Sequence, residues 1–573
     1  MKTDPAARSI LACALALAAA SAHSQTDPGV AHLERRGEAT QLIVEGRPFL
    51  VLGGELANTA SSSLGYMRPV WPRLVRMNLN TALVGVSWAQ IEPVEGNYDF
   101  SIVDGMLEGA RANGLRIVFI WFGSWKNGIS SFAPAWVKAD QDRFPRVRVR
   151  YGRPIEVLST LSDANRDADA RAYAAFMRHL READSRQHTV LMIQLENEVG
   201  VLGDSRDRSA AADVAFAGQV PADLTGYLAA NRNRLRTELR TAWEGAGARS
   251  AGTWEEVFGS GPATDERFMA WNYARYMDRL AAAGKAEYPV PVFTNTWIVQ
   301  PEDKGPGDYP SGGPEPHVLD LWRAGAPHID FNAPDIYLPN FAEWVGLFNQ
   351  DGNPLFVPES RGDAAGVANA FYAIGRHLGI GYSPFGIDDA DRLLVLRPDG
   401  RQTPPDALEG LPLPKGYAVL RQLTPAILEA QARGSISAAS LTSAHPMEDL
   451  RVGDYTVHMN LLRNFRHPDD APPFGYGLAI ATGPDEYLVA GCDVQVTFSP
   501  AKPGAPIAGL ARVEAGEFVE GRWTPGRILN GDDILLNYHL AEAAAQGQSG
   551  SGLRFAPANG PTIQRVLLYR YGP

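Results

Sequence analysis

The stretch LMIQLENEVG, residues 191–200, decides how the rest of the chain is read. A run that is apolar except for Gln194 ends in Glu196, Asn197 and Glu198. Burying a carboxylate is costly unless it is paired or hydrogen-bonded. A strand that carries two acids towards the interior therefore needs a chemical reason.

Outward from this stretch, the chain between about 40 and 430 offers eight strand-like runs. They are 47–56, 80–88, 115–123, 188–198, 289–297, 328–337, 353–360 and 379–387. Several are almost continuously apolar, as expected of a parallel sheet covered on both faces. Helical patterns fall between them at 68–79, 103–114, 167–184 and 265–288, with Gly114 placed to stop the second. Strand and helix alternating in this way predict an α/β fold, a (β/α)₈ TIM barrel.

In such barrels the chemistry gathers at the carboxyl ends of the strands. Glu198 ends the fourth run and Glu359 the seventh, while Glu55 ends the first. Trp88 ends the second, Trp121 and Trp125 follow the third, Trp297 ends the fifth and Tyr337 the sixth. Acids walled by aromatic rings suit a sugar, whose faces stack on rings while its hydroxyls take hydrogen bonds. Two facing carboxylates suit cleavage of a glycosidic bond, one as acid and one as nucleophile or stabiliser. Period-two alternation puts Gln194, Glu196 and Glu198 on one side of the fourth strand, with Glu198 nearest the rim. Asn197 would then point outward unless the strand bends or ends there. Glu196 reads better as a structural carboxylate bonded to neighbouring strands. Trp88, Trp125 and Trp297 are balanced between core packing and a sugar platform, whereas Trp271, Tyr273 and Tyr276 sit mid-helix as core.

Four motifs carry a resemblance: GGEL at 53–56, VSWAQIEPVEGNYDF at 86–100, IQLENEVG at 193–200 and LFVPES at 355–360. In these the chain resembles the β-galactosidases of glycoside hydrolase family 35, within the clan of retaining barrel glycosidases. The resemblance implies Glu198 as acid/base and Glu359 as nucleophile. It implies that Asn197 binds the sugar 2-hydroxyl, that Tyr337 donates to the nucleophile, and that Glu55 contacts sugar hydroxyls. After strand three the family pattern is replaced by WFGSWKNG (121–128), where Lys126 and Asn127 stand in for the usual contacts. The activity implied is that of a retaining exo-glycosidase releasing terminal β-D-galactosyl residues from oligo- or polysaccharides. The alternatives are the same machinery on β-glucosides, β-mannosides or an internal bond, or a carbohydrate-binding barrel without catalysis.

The net charge of −12 supplies no basic surplus for phosphates and argues against a nucleic-acid partner. Neither a metal spacing among the histidines nor a phosphate-binding loop nor a G-x-S-x-G elbow is found, so no cofactor and no metal is expected. Glu92 reads as a brace for its loop, and the Gly/Pro-rich 307–317 loop as either a lid or a mobile segment. Residues 1–24 read as a secretory signal, with Lys2 and Arg8 before an apolar stretch and Ala20-Ser21-Ala22 as the cleavage site. Export to periplasm or medium follows, with no membrane span. Cys492 is then alone in the mature chain, so no intramolecular disulfide forms. The barrel is assigned to 35–432. Residues 435–573 are assigned to an accessory antiparallel β-sandwich that packs against it, on the strand patterns at 454–463, 476–498, 511–529 and 562–571.

Overall fold

A computed structural model describes residues 29–389, 408, 410–462, 472–536, 539–556 and 560–572, so residues 1–24, read from the sequence as a secretory signal, and Cys13 among them lie outside the described residues. The eight runs fold as eight parallel strands. They are β1 (Val51–Glu55), β2 (Thr81–Ser87), β3 (Arg116–Lys126), β4 (Val190–Asn197), β5 (Val292–Trp297), β6 (Phe331–Ile336), β7 and β8 (Gly381–Tyr382). β7 is split by Pro358 into Phe356–Val357 and Glu359–Ser360. Proline has no N–H to give to the ladder. The strand changes partner across it: Phe356–Val357 pairs with β8, and Glu359–Ser360 with β6. With β8 on β1, and the remaining neighbours paired in chain order, the ring closes.

Helices at Ser101–Ala112, Asp163–Asp184 and Pro262–Glu287 cover the outside, as the periodicity predicts. Their apolar stripes bury Val103, Met106 and Leu107 in the first, and Trp271, Tyr273 and Tyr276 in the third. Inside the ring, Val51, Leu83, Val118, Ile120, Leu191, Phe293, Phe331 and Phe356 form one cluster with Leu42 and Val44. The last two come from an antiparallel sheet of His32–Arg36, Ala39–Val44 and Arg47–Phe49. This sheet is absent from the sequence reading, which ran 47–56 together as one strand. Its outer strands are short and largely exposed, and only the central Ala39–Val44 is buried, so it shows no apolar run as long as those of the barrel strands.

Helix Pro412–Arg433 ends on Gly434, at φ 65°. Antiparallel strands follow: a six-stranded sheet and a five-stranded sheet. They enclose a second core that includes Val457, Met459, Val489, Val496, Phe498 and Val566. The predicted sandwich strands appear there as Tyr455–Leu461, Phe474–Ala481, Glu486–Cys492, Val494–Pro500, Ile507–Val519, Arg522–Leu529 and Thr562–Tyr571. The fold is an α/β barrel followed by antiparallel sheets. Among the described residues, no helix is long and apolar enough to cross a membrane.

Candidate active site

The carboxyl end of β4 departs from regular strand geometry. Glu196 and Glu198 adopt left-handed backbone angles, φ 58° and 44°. For a residue with a Cβ such angles cost about 1–3 kcal/mol each and persist only where surroundings impose them. The surroundings are a tight turn at the end of β3. The N–H groups of Gly123, Ser124 and Trp125 donate to the Glu196 carboxylate at 3.1, 2.8 and 2.7 Å. Asn127 and Gly128 donate to the carbonyls of Asn197 and Glu198 at 3.2 and 3.1 Å. Glu196 is therefore a brace between strands. The broken alternation also removes the difficulty with Asn197, which turns in towards Lys126 instead of pointing outward.

Lys126 Nζ donates to Asn197 Oδ1 at 2.8 Å. Since ammonium only donates, this contact sets the amide orientation. It leaves the Asn197 Nδ2 group buried with no partner among the described residues. Glu198 is buried beside it, and one oxygen each of Glu198, Glu359 and Asp335 lie within 4.8 Å of one another. Tyr337 donates its hydroxyl to Glu359 Oε1 at 2.8 Å, while Glu359 Oε2 has no partner among the described residues. Glu55 is fully buried on β1, and neither of its oxygens has a partner among the described residues. A cavity of about 480 Å³ opens onto Glu359, Lys126 and Asn127, with Asn58 and Phe385 on its wall.

The electrostatics follow from four acids and one lysine. Burial and the neighbouring charge of Glu359 push Glu198 up to about 8, against the pull of Lys126. Burial, then Glu359, raise Glu55 and Asp335 well above the usual carboxylate range. Burial and the contact with Glu359 likewise raise the Tyr337 hydroxyl, which keeps its proton.

Of the residues singled out from sequence, the structure brings Glu55, Asn127, Asn197, Glu198, Tyr337 and Glu359 to one place. Trp297 is half-buried at the end of β5. Trp88 and Trp125 are corrections: both are wholly buried and offer no ring face to a ligand. Trp88 donates to Glu92 Oε2 at 2.7 Å and meets Trp136 edge-on at 5.8 Å. Trp125 packs between Tyr273 and Tyr276, at 5.1 and 4.6 Å. Glu92 also accepts from the Gly96 N–H at 2.7 Å, so it braces its loop. The 307–317 loop is neither lid nor free segment. Its residues 309–316 are buried, and Ser311 bonds to Val201 and Ser205. Asp335, Asn295 and Phe385 escaped the sequence reading. The signal for Asp335 was present in NAPDIY, where period two places it on the side of Tyr337.

Residues 71–301 match the glycoside hydrolase family 42 model, described as beta-galactosidase. The motifs had pointed to family 35; the model that matches is that of family 42, and β-galactosidase is what the two readings have in common. Residues 413–541 match a domain of unknown function, DUF5597, which takes in the last barrel helix and most of the sandwich. A β-galactosidase of Xanthomonas manihotis is 27% identical over 202 residues, 34% of this chain and 30% of that enzyme. The chain thus corresponds to less than a third of that relative's length. The β-galactosidase of the psychrophilic Marinomonas ef1 superposes with a TM-score of 0.42 at 14% identity, over 66% of this chain and 60% of that one. That of Bacillus circulans sp. alkalophilus gives 0.44 at 15% identity, over 66% and 57%.

Proposed function

We propose that the protein is an exported glycoside hydrolase, a retaining exo-β-galactosidase acting on oligo- or polysaccharides. The observation that carries the proposal is the pair of buried carboxyls at the ends of β4 and β7, with oxygens of Glu198 and Glu359 within 4.8 Å. Retaining glycosidases hold their carboxyls about 5–5.5 Å apart, inverting ones about 6.5–9.5 Å to admit a water. Glu359, oriented by Tyr337, attacks the anomeric carbon. Glu198 gives its proton to the leaving oxygen and later takes one from water. Its raised pKa supports the acid role, because the proton is still present near neutral pH. Once Glu359 is esterified its charge is gone, and Glu198 becomes a better base. The unpartnered Nδ2 of Asn197 meets the sugar 2-hydroxyl, and Glu55 accepts from other hydroxyls. The choice of galactose and of terminal residues rests on the similarity to β-galactosidases.

The test is release of p-nitrophenol from β-galactoside, β-glucoside and β-mannoside, with proton NMR of the first anomer formed. Galactoside turnover with the β-anomer first is expected, and loss of more than about a thousandfold in Glu359→Gln. An α-anomer first would overturn retention, and a preference for glucoside or mannoside would overturn the sugar. Export is tested by fractionation: mature protein confined to the cytoplasm would reject it.

A further inference from the structure

Asp335 lies on β6, buried, two residues before Tyr337. Its Oδ2 accepts from Asn295 Nδ2 at 2.6 Å, and the same amide's Oδ1 accepts the backbone N–H of Glu198 at 2.9 Å. Asn295 on β5 thus ties the Asp335 carboxyl to the backbone of the residue assigned as acid/base. It also makes Oδ2 the accepting oxygen. Oδ1 is buried and, among the described residues, receives no N–H or hydroxyl, while a carboxyl oxygen of Asp335 lies within 4.8 Å of one of Glu198. Two carboxyl oxygens facing each other without a donor repel unless a proton lies between them. The titratable groups around Asp335 are Glu198 from β4, Glu359 from β7, Glu55 from β1 and Tyr337 beyond β6. Lys126 from β3 acts on Glu198 and Glu55. One cation against four acids leaves charge to be removed by protonation, and Asp335 lies among the other three acids.

We propose that Asp335 is a positioning residue that stays protonated and donates its hydroxyl to Glu198, steadying the carboxylate that Glu198 becomes after protonating the leaving group. The proposal rests on the assignment of Glu198 as acid/base. The Glu198 proton goes to the glycosidic oxygen, and the Asp335 proton stays on Oδ1 throughout, so no net transfer passes through Asp335.

The variants Asp335→Asn and Asp335→Ala separate a donor from a charge. The amide keeps a donor towards Glu198 and an acceptor towards Asn295; alanine keeps neither. Asp335→Asn is expected to retain kcat/KM within about threefold and to leave the alkaline limb of the pH–rate profile in place. Asp335→Ala is expected to lose about 10- to 100-fold in kcat, the worth of a hydrogen bond to a charged group, and to move that limb to higher pH. An ionised Asp335 gives the opposite sign, since removing a like charge from either variant moves the limb to lower pH. That outcome, or a limb unmoved in both variants, overturns the proposal. Infrared titration of the folded protein tests it without activity. A protonated carboxyl band that persists in alkaline buffer and is missing from Asp335→Asn is expected, and its absence from the parent protein overturns it. If no glycoside is hydrolysed the acid/base assignment falls, while the infrared band still decides the state of Asp335.

Discussion

Glu198 combines a left-handed backbone with surroundings that disfavour its charge, and both features have measurable consequences. Its pKa in the fold is raised from 4.5 to about 8. The native state therefore keeps a proton that the unfolded chain releases. This contribution to stability is complete below about pH 4.5 and is lost as pH rises towards about 8. Glu198→Gln carries no such loss. The melting temperature of the variant relative to the parent is expected to rise between pH 5 and pH 8, by roughly 2–4 °C. An equal difference at both pH values would contradict the burial of an acid proton there. Tyr337 acts on the other carboxylate. A hydrogen bond to a charged group contributes about 1.5–3 kcal/mol, so Tyr337→Phe should lower kcat about 10- to 100-fold with KM little changed. A variant with unaltered kcat and raised KM would make Tyr337 a binding residue instead.

At the scale of elements, the end of β4 is shaped by the tail of β3. Three N–H groups converge on Glu196 only because the chain can fold tightly around Gly123. A Cβ on Gly123 would fall 2.6 Å from Glu196 Oε1 and 2.4 Å from Trp121 Nε1. Gly123→Ala is therefore expected to cost about 1–3 kcal/mol by overpacking. It should also reduce kcat, because the displaced Glu196 no longer sets the direction of Asn197 and Glu198. Thermal melting and steady-state kinetics check this together. A variant as stable as the parent would show that the turn tolerates the added methyl. The sequence suggested Glu196 as structural from its position alone. The three donors that make it so come from a bend that no periodicity predicts.

Across the whole molecule, two features join the parts. Pro358 lets β7 pair to either side, and so closes the ring. The helix Ala364–Arg376 packs its far face on the sandwich. Phe371 meets Tyr476 edge-on at 4.9 Å, and a Cβ on Gly375 would lie 2.7 Å from the Ala438 Cβ. Removing the chain after Gly434 would expose this apolar face, and exposed patches of that kind lead to aggregation. The truncated protein is expected to be insoluble or to melt well below the parent. A soluble, equally stable and active barrel would show that the sandwich contributes nothing to its folding.

The sequence by itself determined the barrel, the helices that cover it, the antiparallel sheets that follow, and the placing of Glu55, Glu198, Tyr337 and Glu359 at strand ends. These are encoded locally, in periods of two and 3.6 and in apolar runs that end in acids. Tertiary structure alone decided the rest. It sent Trp88 and Trp125 into the core, because the turn of helix after β2 and the bend in the tail of β3 direct these rings away from the mouth. It turned Asn197 inward, because the β3 tail imposes positive φ on its two neighbours. It brought Asp335 to Glu198 through Asn295, three residues on three strands of one wall. Such an arrangement depends on register between strands far apart in sequence, and pattern within each strand is silent about that register.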